Sequence, residues 1–181
     1  MPAAAALLLI ASLVQAEPPR VTFLSGAELL RAIRTAPEEQ PPQPGLYSLR
    51  LSGPSEYPVI GICRRATGMS ELHHQFTDVW YVLEGSATLV TGGSLVEGLE
   101  IRPGEIRGRS ISGGNARVIR GGDFAVIPAG VPHWVSEVSG KELLYLVVKV
   151  PSGSREENRD AVQQPDAADE VREGKRRGPR R

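Results

Sequence analysis

From Leu46 onward the chain is a series of short apolar runs, many ending at Gly or Pro: Leu46 to Leu51, Tyr57 to Arg64, Val79 to Leu83, Ala87 to Thr91, Ala116 to Arg120, Phe124 to Ile127, His133 to Val138 and Leu143 to Val150. The 20 glycines and 15 prolines of the chain supply turn signals between them. About eight closely spaced strands predict an all-β sandwich or barrel. No internal repeat divides the series, so the expectation is one barrel.

What precedes the strands reads differently. Met1 to Ala16 is an apolar stretch of signal-peptide length closing on the small-residue ending Val14-Gln15-Ala16, and it is too short to span a bilayer comfortably. The mature chain is then expected to begin near Glu17 and to work in a periplasm or an extracellular space. Ser25 and Glu28, three apart, read as a capping box that opens an amphipathic helix through Leu29, Leu30 and Ile33 to about Thr35. The Pro-rich segment from Pro37 to Gly45 ends it.

Pro151 to Arg181 contains no aromatic, Ile or Leu residue, and such a segment buries too little apolar surface to offset its ordering entropy. It is expected to be a disordered, charged tail ending in the basic cluster Lys175 to Arg181. The chain as a whole balances 21 Lys and Arg against 21 Asp and Glu, with no basic stripe in the body, and no nucleic-acid partner is expected. The expected division is a signal peptide over 1–16, a helix and linker over 17–44, a barrel over 45–150 and the tail over 151–181. Cys63, the one cysteine of the chain and preceded by Val59, Ile60 and Ile62, reads as a buried small hydrophobe. No GxGxxG, Walker A, CxxC or nucleophile-elbow pattern is present.

All three histidines fall in two segments. Glu71 to Gly85 holds His73, His74 and Asp78, and Gly122 to His133 holds Gly122, Pro128, Gly130 and His133. Together with Thr77 to Gly85, Gly104 to Gly108 and Ile127 to His133, this arrangement resembles the two motifs of the cupin superfamily, in particular small single-domain bacterial cupins. The resemblance covers about residues 45 to 150. It implies a cupin-type double-stranded β-helix, a jelly-roll barrel, with Ser94 to Asn115 as the variable connection between motifs and Gly85 to Gly93 as a hairpin return. It also implies a homodimer paired through its sheets.

In the cupin pattern the first motif supplies two histidines two apart, then an acid, then a Gly seven residues on. Counting back from Gly85 places Asp78 at the acid, where the family usually has Glu. One register then sets Glu71 and His73 at the histidine positions, and the other sets Leu72 and His74. Only the first gives a full set of ligand types, and residues 71 and 73 share one face of an extended strand while His74 points away. The implied metal set is Glu71, His73, Asp78 and His133, with His74 as the alternate. Two imidazoles and two carboxylates suit divalent Fe, Mn, Zn, Ni or Cu.

Glu137 stands where cupins often have Asn, and with Glu71 it is a candidate general base. Without a cation, clustered Glu71, Asp78 and Glu137 should repel and one of them should titrate high. Trp80 and Val82 share the parity of Asp78 and should face the interior, with Tyr81 and Leu83 on the other side of the sheet and Trp134 turned away from His133. Two functions are expected to compete: a metal-dependent small-molecule enzyme, dioxygenase-like or isomerase-like, and a non-catalytic protein that captures a small ligand or a metal.

Overall fold

The computed structural model describes residues 21–39, 43–53 and 57–152. The expected signal peptide and all but the first two residues of the expected tail lie outside them. The chain forms α1 (Gly26–Arg34), then β1 (Leu46–Arg50), β2 (Val59–Arg64), β3 (Ser70–His73), β4 (Phe76–Thr91), β5 (Ser94–Val96), β6 (Leu99–Arg102), β7 (Glu105–Gly108), β8 (Ser110–Ser112), β9 (Asn115–Arg120), β10 (Phe124–Ile127) and β11 (His133–Pro151). Every strand pairing is antiparallel.

Two long strands form the frame. β4 and β11 run alongside each other from Phe76 opposite Pro151 to Thr91 opposite His133. On its other edge β4 pairs first with β10 and then with β9, while β11 pairs with β2 and, at His133, with β3. One curled sheet of nine strands results, with β5 and β8 as a separate two-stranded ribbon. This is the all-β barrel that the apolar runs predict.

Gly85 is not a hairpin return. β4 continues through it as one bent strand, because Gly85 takes a φ of +86° and packs against the backbone of β11, where a Cβ would come within 2.2 Å of the Glu142 carbonyl oxygen. The register between β4 and β11 jumps at this point, between Ser139 and Leu144. The stretch from Ser94 to Asn115 is also more ordered than a connection: it holds β5, β6, β7 and β8. Each has three or four residues and none is a continuous apolar run of the kind that marks the equally short β10. β3 lies outside the apolar runs but falls where Glu71 and His73 were expected on an extended strand.

The interior is filled by alternate residues of the long strands, including Trp80, Val82, Leu89, Val135, Tyr145 and Val147. Tyr81 is exposed, as its parity requires, and Leu83 packs on the outer face. There α1 lies against the sheet, burying Ile33 beside Cys63 and Leu144. The approach is close because Gly61 has no side chain; a Cβ there would sit 2.6 Å from Ile33 Cγ1. The capping box forms as read: the Ser25 backbone N–H donates to Glu28 Oε2 at 2.9 Å, and the Glu28 N–H donates to Ser25 Oγ at 3.4 Å. Arg34 closes the other end by pairing with Glu84 and Glu142. Cys63 is a free, fully buried thiol.

Candidate metal centre

Directly opposed residues on neighbouring strands build the site. Glu71 on β3 faces His133 at the start of β11 on one side and Arg107 of β7 on the other. His73, two residues along β3, faces Glu105 of β7. Asp78 near the start of β4 faces Lys149 near the end of β11. Side chains opposite one another project from the same face of a sheet, so the pairing directs all of these groups into the barrel.

His133 Nδ1 donates to the Val131 carbonyl at 3.1 Å, which leaves the lone pair of Nε2 free. That nitrogen is buried without a hydrogen-bond partner. It lies 4.0 Å from Glu71 Oε2 and 3.8 Å from Asp78 Oδ2. Burial lowers the pKa of the ring and keeps it neutral, against the pull of Glu71 and Asp78.

His73 Nδ1 meets Glu105 Oε2 at 2.5 Å, and its Nε2 lies 3.6 Å from Glu71, 3.5 Å from Asp78 and 3.0 Å from Lys149 Nζ. Burial alone would depress its pKa, but the carboxylates of Asp78, Glu105 and Glu71 outweigh that and lift it to about 10. Lys149 also donates to both oxygens of Asp78, at 2.8 and 3.0 Å.

The expected high-titrating carboxyl is absent. Burial works to raise both Glu71 and Asp78, yet His73 with Arg107 and Arg64 holds Glu71 well below the usual carboxylate range, and His73 with Lys149 lowers Asp78. Arg107 lies 3.9 Å from Glu71, and Arg64 is almost wholly buried in the same cavity.

The structure thus brings Glu71, His73, Asp78 and His133 together. His74 is exposed and points away, its backbone N–H donating to the Gly104 carbonyl. Glu137 is also exposed and stands outside the site, so the interior is not made more acidic by it. The cause is a bulge: Val135 pairs with Leu89 and Glu137 with Thr88, which leaves Ser136 unpaired and reverses the parity that would have turned Glu137 inward. Trp134 turns from His133 as expected and donates its indole N–H to the Gly68 carbonyl at 2.8 Å.

Glu105, Arg107, Arg64 and Lys149 were missed as site residues. Period-two alternation would have found Lys149, which continues the inward series Leu143, Tyr145 and Val147, and would have set Glu105 and Arg107 on one face.

A cavity of about 440 Å³ opens beside these groups, with Arg50, Arg102, Arg107 and Lys149 among its cationic lining and Ile60, Phe76 and Trp80 among its apolar lining. Trp80 meets His133 edge-on with ring centroids 5.7 Å apart and packs against Tyr145 at 4.6 Å. It is 4 % exposed, so it acts mainly as core and offers the cavity only an edge.

Glu71, His73 and His133 each present one ligand atom within 4.8 Å of the others. Tetrahedral coordination with bonds of about 2.0–2.2 Å sets ligand atoms about 3.3–3.6 Å apart. The four imidazole–carboxylate separations are 3.5, 3.6, 3.8 and 4.0 Å. With the free lone pair of His133 and two ionised carboxylates, the donor set fits a divalent cation after small closing movements. Glu105 and the Val131 carbonyl already hold the two rings in orientation.

Fold and site together define a cupin-type barrel with a candidate metal centre. No family model matches the sequence, and no curated protein matches it. Among solved structures, those of cupin fold match it. A candidate sugar phosphate isomerase from Acidithiobacillus ferrooxidans is 19% identical with a TM-score of 0.50, over 73% of this chain and 76% of that one. Hydroquinone 1,2-dioxygenase from Sphingomonas sp. TTNP3, with 4-hydroxybenzoate bound, is 13% identical with a TM-score of 0.48, over 70% and 73%. The polyketide cyclase RemF from Streptomyces resistomycificus is 21% identical with a TM-score of 0.41, over 60% and 66%. At these identities the likeness is one of fold alone.

Proposed function

We propose that this protein is a metal-dependent cupin enzyme acting on a small molecule, with a divalent transition metal held by Glu71, His73 and His133. The observation that carries this reading is the buried Nε2 of His133, unpartnered and aimed at two carboxylates. Two imidazoles and one carboxylate are the donor set of non-haem iron oxygenases, which supports a dioxygenase-like reaction ahead of an isomerase-like one. Asp78 is the fourth donor when Lys149 releases it.

A metal bound here would act as a Lewis acid on a substrate oxygen. The chain's own groups set the conditions for that chemistry. Glu105 fixes the tautomer of His73, and Val131 fixes that of His133. Glu71 is too acidic to serve as a strong base and acts as an anionic ligand. The cavity admits a molecule of modest size and presents both cations and apolar walls to it.

Metal analysis of untagged protein tests the proposal. Near-stoichiometric metal that is lost in His133→Ala supports it. Protein that stays metal-free after incubation with each ion sinks it, and the second reading then stands: a non-catalytic ligand-binding cupin in which Lys149 satisfies Asp78 permanently.

Export and dimerisation are proposed on separate grounds. The apolar leader from Met1 to Ala16 supports a secreted or periplasmic location, tested by N-terminal sequencing of exported protein. Exposed Tyr81, Phe124 and Val126 on β4 and β10 support a homodimer, tested by light scattering. Among the described residues no helix is long and apolar enough to cross a membrane.

A further inference from the structure

The geometry points to Lys149 as a tethered cation that a metal ion must displace before it can occupy the full ligand set. This rests on the metal reading above and adds a competitor to it. His73 has one nitrogen committed to Glu105, so only Nε2 remains for a metal, and Lys149 Nζ lies 3.0 Å from that atom. Both oxygens of Asp78 are taken by the same ammonium. With Nζ 3.0 Å from Nε2, the ammonium stands where a metal on that nitrogen would sit. An ammonium left against two ligands of a divalent ion would also repel it.

Lys149 has somewhere to go. Its side chain is 21% exposed and lines the cavity, so rotation about its four-carbon stem carries the ammonium away from Asp78 into open space. Metal loading and the position of Lys149 are therefore coupled: an ion that gains His73 and Asp78 delivers a mobile positive charge to the cavity. Glu71 is contacted by His73 and Arg107, and His133 Nε2 has no hydrogen-bond partner, so these two form the half of the site that an ion reaches without displacing Lys149.

Two measurements test this. Metal affinity, read by competition with a chromogenic chelator, should rise about tenfold or more in Lys149→Met, a change of similar length without the charge. Lys149→Gln serves as the second variant should burial of unpaired Asp78 unfold the first. In the unaltered protein, amine-directed labelling followed by peptide mass spectrometry should show Lys149 labelled faster with zinc present than without it.

Metal bound equally by wild type and Lys149→Met, lost only in His133→Ala, and with labelling of Lys149 unchanged by zinc, overturns the competition and leaves the metal site standing. No metal in any variant overturns both. Weaker binding in the Lys149 variants also overturns the competition, because Lys149 would then be supporting the ligands.

Discussion

His73 and Glu105 are cross-strand partners, and the imidazole Nδ1 lies 2.5 Å from the carboxylate. The carboxylate fixes which nitrogen is free to ligate and how the ring is turned. Glu105→Ala should therefore weaken metal binding about 10-fold to 100-fold while leaving every direct ligand in place. Chelator competition measures the affinity; an unchanged value would remove Glu105 from the centre.

The two adjacent histidines should behave oppositely. His73→Ala should lose bound metal, whereas His74→Ala, at an exposed position, should retain it. Glu137→Gln should be equally silent in metal content and within about 0.5 kcal/mol in stability, as an exposed substitution. Equal metal retention in both histidine variants would contradict the orientation of β3.

Gly85→Ala should destabilise the fold by about 3 kcal/mol or more. A positive φ costs an alanine of order 1–3 kcal/mol, and its methyl would also collide with the Glu142 carbonyl. Gly26→Ala, in open space at the start of α1, is the matched control and should be neutral or slightly stabilising. Urea denaturation of the two variants decides the point; similar midpoints would refute it.

Docking of α1 should depend on pH through Glu142. Arg34 foremost, and then Arg65, hold its carboxyl below the usual value of 4.5, while partial burial opposes them. A depressed folded pKa gives stability that is complete above about 4.5 and is lost as pH falls through the lower folded value. Because Arg34 is 41% exposed, the contribution is no more than about 1 kcal/mol. The acid limb of the stability curve should be shallower in Glu142→Gln; an identical limb would assign acid sensitivity elsewhere.

The barrel and its candidate site were readable from sequence where the signal was periodic or tied to spacing. Apolar runs marked β1, β2, β9 and β10, and counting from Gly85 picked out Glu71, His73 and Asp78, which do converge with His133. The short strands β5 to β8 were not readable, because none of them carries a continuous apolar run like that of the equally short β10. Glu137 was misplaced because parity counting assumes an unbroken strand. Arg64, Arg107 and Lys149 carry no ligand signature in the sequence, although they supply the charge that keeps the buried acids ionised.

The irregularities in β11 have a consequence for how this chain can change. Inward residues fall at Val135, then Val138, then Leu143, and each of these steps is odd, so the strand slips phase twice and the slips cancel. His133 and Lys149, at opposite ends, face the same interior only because of that cancellation. Deleting a single residue between Ser139 and Leu143 would leave His133 in place and rotate Tyr145, Val147 and Lys149 to the outside. Insertions and deletions in β11 are tolerable for the centre only in compensating pairs, so the strand works as a length standard for the site as well as a wall of the barrel.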